Sequence, residues 1–169
     1  MSAENNAPVV FVGGPFKGLI DAATGILDAT FQHRFQRVID YFTGQGWVVR
    51  NAHQQEGWGE AMVADTVCTA RDFRWMRECD LFVAFPGDPA SPGTHIEIGW
   101  ASGSGTPMLL VLEPDGRHAA LVTGLYAVSP VVYVTYDGGP EFLTALAEAA
   151  TQLASAAGAG WGARLAVAR

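Results

Sequence analysis

Glu97 is the residue on which chemistry can be built. It is the only carboxylate between Thr94 and Gly105, and it stands beside Ile96, Ile98 and Trp100. Just before it runs the loop Pro86-Gly87-Asp88-Pro89-Ala90-Ser91-Pro92-Gly93, whose amides and hydroxyl can hold an anion at the start of the following helix. A carboxylate among apolar neighbours beside an anion site is placed for nucleophilic or acid–base work, because such surroundings shift its proton affinity. The same residues carry a plainer reading. Thr94-His95-Ile96-Glu97 fits a capping box, with Thr94 as N-cap and Glu97 returning to the Thr94 amide.

A second acid, Asp72, lies in Thr69-Ala70-Arg71-Asp72, where a capping or solvated role competes with catalysis. His53 follows a short strand and can touch a ligand, although a lone histidine is more often structural. Gly13-Gly14-Pro15-Phe16-Lys17-Gly18 is neither GxGxxG nor a Walker loop, so it is a weak nucleotide signal with a tight turn as its alternative. Ser91 lacks a G-x-S-x-G context, which argues against a serine hydrolase. The four histidines form no HExxH, and neither a metal nor a cofactor is expected.

These residues need a frame. Pro8 to Val12, Trp47 to Arg50, Leu81 to Phe85, Met108 to Leu112 and Val131 to Val134 read as five strands, most of them nearly continuous apolar runs. Between them, residues 28–43 place Phe31, Phe35, Val38, Ile39 and Phe42 at helical spacing. Further helices are expected over Thr69 to Glu78, residues 94–103 and residues 140–157; Asn51 to Thr66 is ambiguous. Apolar strands alternating with helices predict a parallel sheet covered on both faces, an α/β fold of flavodoxin-like type. Ligands bind such sheets beyond the carboxyl ends of the strands, and the loops at 13–18 and 86–93 both leave that edge.

At 169 residues the chain reads as one domain, with residues 1–7 and about 158–169 as flexible tails. A net charge of −7 without a Lys/Arg cluster argues against a nucleic-acid partner, whereas a small anion remains compatible. Cys68 and Cys79 have no zinc-like spacing and fall in or beside one helix, so no disulfide is expected. Residues 1–8 are polar and no apolar run approaches membrane length, which points to a cytoplasmic protein with no membrane contact.

The segments FVGGPF, ARDFRWMRECDLFVAFPG and ASPGTHIEIGWASGSGTP together resemble the nucleoside 2-deoxyribosyltransferase-like superfamily. More narrowly they are similar to the cytidylate and hydroxymethylcytidylate N-glycosidases of pyrimidine nucleoside antibiotic and bacimethrin pathways, over about residues 8 to 135. The resemblance implies that Glu97 is the nucleophile and Asp72 the second acid. It implies that Ser91 and Gly93 hold a 5′-phosphate, and that Gly13, Gly14, Pro15, Phe16 and Lys17, with Phe11 before them, surround sugar and base. It further implies a homodimer in which a neighbouring subunit lends the loop from Arg117 to Thr123 to that phosphate, with Ala119 where the family has a serine. Transferases and deoxynucleotide hydrolases of the superfamily carry a tyrosine at the end of the first strand. Val9-Val10-Phe11-Val12 has no such hydroxyl, which favours the ribonucleotide branch.

The expected activity is therefore hydrolysis of the N-glycosidic bond of CMP or 5-hydroxymethyl-CMP to base and ribose 5-phosphate. Glu97 would attack C1′ and water would release the sugar. The rivals are a deoxyribosyltransferase or deoxynucleotide N-hydrolase, and a non-catalytic nucleotide-binding module.

Overall fold

A computed structural model describes residues 7–156. Five parallel strands, β1 (Val9–Gly13), β2 (Val48–Asn51), β3 (Leu81–Ala84), β4 (Met108–Leu112) and β5 (Val131–Thr135), form one sheet in the order β2-β1-β3-β4-β5. The helices are α1 (Ala29–Gly44), α2 (Ala52–Gln55), α3 (Asp65–Glu78), α4 (Pro92–Ser104), α5 (Ala120–Thr123) and α6 (Glu141–Ala156). This is the α/β, flavodoxin-like arrangement the strand pattern predicts.

Strand residues alternate faces, so β1 feeds two cores. Val10 and Val12 pack with Phe35, Val38 and Phe42 of α1 and with Phe142 and Leu146 of α6. Phe11 points the other way, toward Trp75 and Met76 of α3 and Ile98 of α4. The strand order reverses at β1, with β2 on one side and β3 on the other. Gly13 pairs with Ala84, so the loops after β1 and β3 leave the carboxyl edge side by side at the switch point.

The element boundaries shift in informative ways. The second strand begins one residue after Trp47, which is instead a buried core residue against Phe42, ring centroids 5.2 Å apart. The ambiguous stretch after Asn51 contains the short α2, capped by the Asn51 side chain, and a 3-10 turn over Gly57–Gly59. α3 starts at Asp65, a full turn before Thr69, and α4 starts at Pro92 rather than Thr94. Between β4 and β5 the chain forms α5 and then a 3-10 turn at Leu125–Ala127. Both cysteines are free. Among the described residues no helix is long and apolar enough to cross a membrane. The expected tails lie outside the described residues except for Ala7.

Candidate active site

The loops after β1 and β3 and the facing sides of α3 and α4 enclose a cavity of about 570 Å³. Glu97 reaches it because of how α4 begins. Ser91 is the N-cap, its Oγ accepting from the Thr94 amide at 3.4 Å and from Thr94 Oγ1 at 3.0 Å, and Pro92 occupies the first helical position. The Thr94–Glu97 capping box is therefore not formed. Thr94 lies inside the helix and is buried, and Glu97 belongs to the second turn with its carboxylate released from any capping duty.

Thr94, Glu97, Ile98 and Ala101 share one face of α4 at helical spacing, directed at the sheet. Gly13 leaves the room for this carboxylate. A Cβ there would stand 2.7 Å from Glu97 Oε2 and 3.0 Å from the Phe82 ring, so any side chain would displace the acid. Burial, followed by the nearby charge of Asp72, pushes the Glu97 carboxyl up to about 8, against the opposing pull of Arg71. Such a value marks a group able to exchange a proton near neutral pH.

Asp72 sits two turns into α3, far from the helix start, so it has no capping role. Its side chain is 13% exposed, and Oδ1 accepts from Arg71 Nε at 2.8 Å. Burial raises its carboxyl above the usual aspartate range, partly offset by the Arg71 bond and charge. Arg71 is itself buried. Its Nη2 donates to Glu56 Oε1 at 2.7 Å, and its guanidinium lies 4.8 Å from the centre of the Trp75 ring. Arg71 and Glu56 both line the cavity, and sequence reading singled out neither. The adjacent pair Arg71-Asp72 was a usable signal; Glu56 lies in a stretch without periodicity and gave none.

His53 takes its structural reading while also lining the cavity. It is buried, stacked 4.2 Å from Phe35 and 4.4 Å from Phe16 by ring centroids. Nε2 donates to the Pro15 carbonyl at 3.0 Å, and Nδ1 accepts from Asn51 Nδ2 at 3.2 Å. Burial lowers its pKa to about 4, so the ring is neutral and serves to fasten the loop after β1. Gly14 is seated against Phe35, where a Cβ would come within 2.6 Å of the ring. Gly87, at φ +84°, lets the two loops touch, since a Cβ there would lie 2.7 Å from Pro15 Cγ.

The residues expected at the site are brought together with one exception. Glu97, Asp72, Phe11, Gly13, Gly14 and Pro15 line the cavity, as do Phe16, Lys17, Ser91 and Gly93. Ala119 does not; it is the N-cap position of α5, and in the loop before it the Arg117 amide donates to Asp88 Oδ2 at 2.9 Å. Lys17 is exposed at the rim and pairs with Asp65 Oδ1 at 2.6 Å. A Cβ at Gly93 would meet nothing within 4 Å, and the amide at this second helical position has no partner within its own helix. Among the described residues no group of three or more His, Cys, Asp or Glu could hold a metal ion.

A carboxylate pair facing a cavity can stabilise positive charge, such as develops at an anomeric carbon when a glycosidic bond breaks. No protein-family model and no curated protein matches the chain. Solved structures do. The Clostridium botulinum CMP N-glycosidase BcmB is 34% identical over 82% of this chain and 98% of its own, with a TM-score of 0.62. BlsM, known from a solution structure, is 36% identical over 89% of this chain and 96% of its own, with a TM-score of 0.73. The fold and these likenesses define a nucleotide N-glycosidase. The chain belongs to the CMP N-glycosidase family that BcmB represents and that includes BlsM.

Proposed function

We propose that this enzyme hydrolyses a pyrimidine ribonucleoside 5′-monophosphate, CMP or 5-hydroxymethyl-CMP, to free base and ribose 5-phosphate. The observation that carries the reading is the Glu97 carboxylate, set against the bare backbone of Gly13 inside a cavity that Ser91 and Gly93 also line. BcmB, with the same fold, is a CMP N-glycosidase. In the first step a Glu97 oxygen forms a bond to C1′, while the C1′–N1 pair leaves with the base, which takes up a proton from solvent. Water then attacks C1′, breaking the ester and restoring the carboxylate. Asp72, with its raised proton affinity, is suited to orient the sugar hydroxyls or accept the proton of that water.

The phosphate is assigned to Ser91 and Gly93 at the start of α4, where the amides and the helix dipole favour an anion in an acidic protein. Its remote binding energy positions C1′ over Glu97. Phe16 and Lys17, beside the fully buried Phe11, are assigned to the base. The ribonucleotide preference rests on Phe11, which offers no hydroxyl and packs against Trp75 and Phe82. A homodimer completes the site. Its support is the apolar surface of α3 and α4, where Phe73 and Ile96 are 44% and 55% exposed, together with Leu121 of α5 at 88%. The two unpaired cysteines suit a reducing cytoplasm.

Incubation with CMP and no acceptor base tests the reading. Free cytosine is expected. Release only when a second base is supplied would make the protein a transferase, and binding without turnover would make it a sensor.

A further inference from the structure

We propose that Arg71, anchored by the buried carboxylate of Glu56, is a positioning residue that fixes Asp72 with one oxygen engaged and the other turned to the substrate. The inference rests on the functional reading above for its meaning, but its geometry stands apart from it. The Arg71 guanidinium is held at three points: Glu56 Oε1 at 2.7 Å, Asp72 Oδ1 at 2.8 Å, and the Trp75 ring at 4.8 Å. The Arg71 and Glu56 side chains are only 8% and 5% exposed, so neither can seek solvent instead. A planar guanidinium can satisfy two carboxylates in a fixed fork, which an ammonium cannot do. With Oδ1 taken, Oδ2 is the Asp72 atom left for a sugar hydroxyl or the attacking water.

The arrangement also sorts the charges. Glu56 from the segment after α2, Asp72 on α3 and Glu97 on α4 are three acids around one buried cation, with neutral His53 nearby. Arg71 bonds to Glu56 and Asp72 directly and reaches Glu97 only through space. The direct Arg71 bond works against the rise that burial causes at Asp72, whereas Glu97, without such a bond, is pushed up to about 8.

Removing one partner of a buried ion pair can unfold a protein, whereas replacing both by apolar groups is often tolerated. The test therefore uses the double variant Glu56→Leu/Arg71→Met beside Arg71→Lys and Glu56→Gln. With CMP as substrate, the folded double variant is expected to lose roughly 10- to 100-fold in kcat, as misplaced groups do, with a smaller change in KM. Glu56→Gln keeps an oxygen for Nη2 and should recover most of that loss; Arg71→Lys should not recover it. Carboxyl-carbon NMR titration of the full chain, without substrate, should show the Asp72 pKa rising by about one unit or more in the double variant. A folded double variant with wild-type kcat, or with an Asp72 titration that does not move, overturns the proposal. If the wild type never splits CMP while the Asp72 titration shifts as expected, the assigned reaction falls and the hold of Arg71 on Asp72 stands.

Discussion

A carboxylate attacks only when ionised, and Glu97 keeps its proton up to about 8. The kcat/KM for CMP should accordingly rise with pH through that value, since this ratio reports the free enzyme's essential groups. A rate independent of pH between 6 and 9 would remove Glu97 from the nucleophile's role. The same shift has a consequence for stability. In the unfolded chain Glu97 titrates near 4.5, so from there to about 8 the folded state holds a proton the unfolded state lacks. Its contribution to stability is complete below about 4.5 and is lost as pH rises through about 8. Glu97→Gln, which has no proton to lose, should gain in melting temperature relative to wild type as pH is raised from 5 to 8.5; a constant difference would contradict this. Asp72→Asn should lower kcat by about 10²–10⁴-fold, the range of an acid–base group, and by less than Glu97→Gln. Unchanged kinetics with a lower melting temperature would leave Asp72 a structural residue.

The site's geometry depends on where its elements begin and end. Gly13 closes β1, and the space its missing side chain leaves is filled by the Glu97 carboxylate. Gly13→Ala should therefore leave the circular-dichroism spectrum of the sheet intact while lowering kcat at least tenfold, because the added methyl must push the acid aside. Wild-type kcat in this variant would mean that the carboxylate need not sit there. The strands were readable because buried parallel strands are continuous apolar runs, as Leu81–Ala84 and Met108–Leu112 are. The start of α4 was harder, since Ser91 and Thr94 are both good N-caps and each precedes helix-compatible residues. Pro92, which favours the first helical position, was the residue that decides between them. Glu97 stood out as the lone acid of its helix start and Asp72 as a second acid only through the family resemblance, while Glu56 was not singled out at all. Its burial arises from a partner 15 residues away on another element, and no local pattern encodes that distance.

At the scale of the molecule, a chain with a net charge of −7 is assigned an anionic substrate. The field of the whole surface opposes a phosphate, so the phosphate site proposed above draws on local amides and the Ser91 hydroxyl at the start of α4. Cytidine, lacking that phosphate, should be a very poor substrate, and Ser91→Ala should impair CMP turnover far more than any residual cytidine turnover. Equal hydrolysis of the two would refute the phosphate site. The exposed apolar residues of α3, α4 and α5 predict a dimer by sedimentation, and a fully active monomer would refute the shared site. The claim on which everything else depends is that Glu97 performs the cleavage. It is tested most directly by measuring cytosine released from CMP, with no acceptor base, by folded wild-type and Glu97→Gln enzymes. Wild type should release cytosine together with ribose 5-phosphate and the variant essentially none; a folded variant retaining a tenth of the wild-type rate would contradict the assignment.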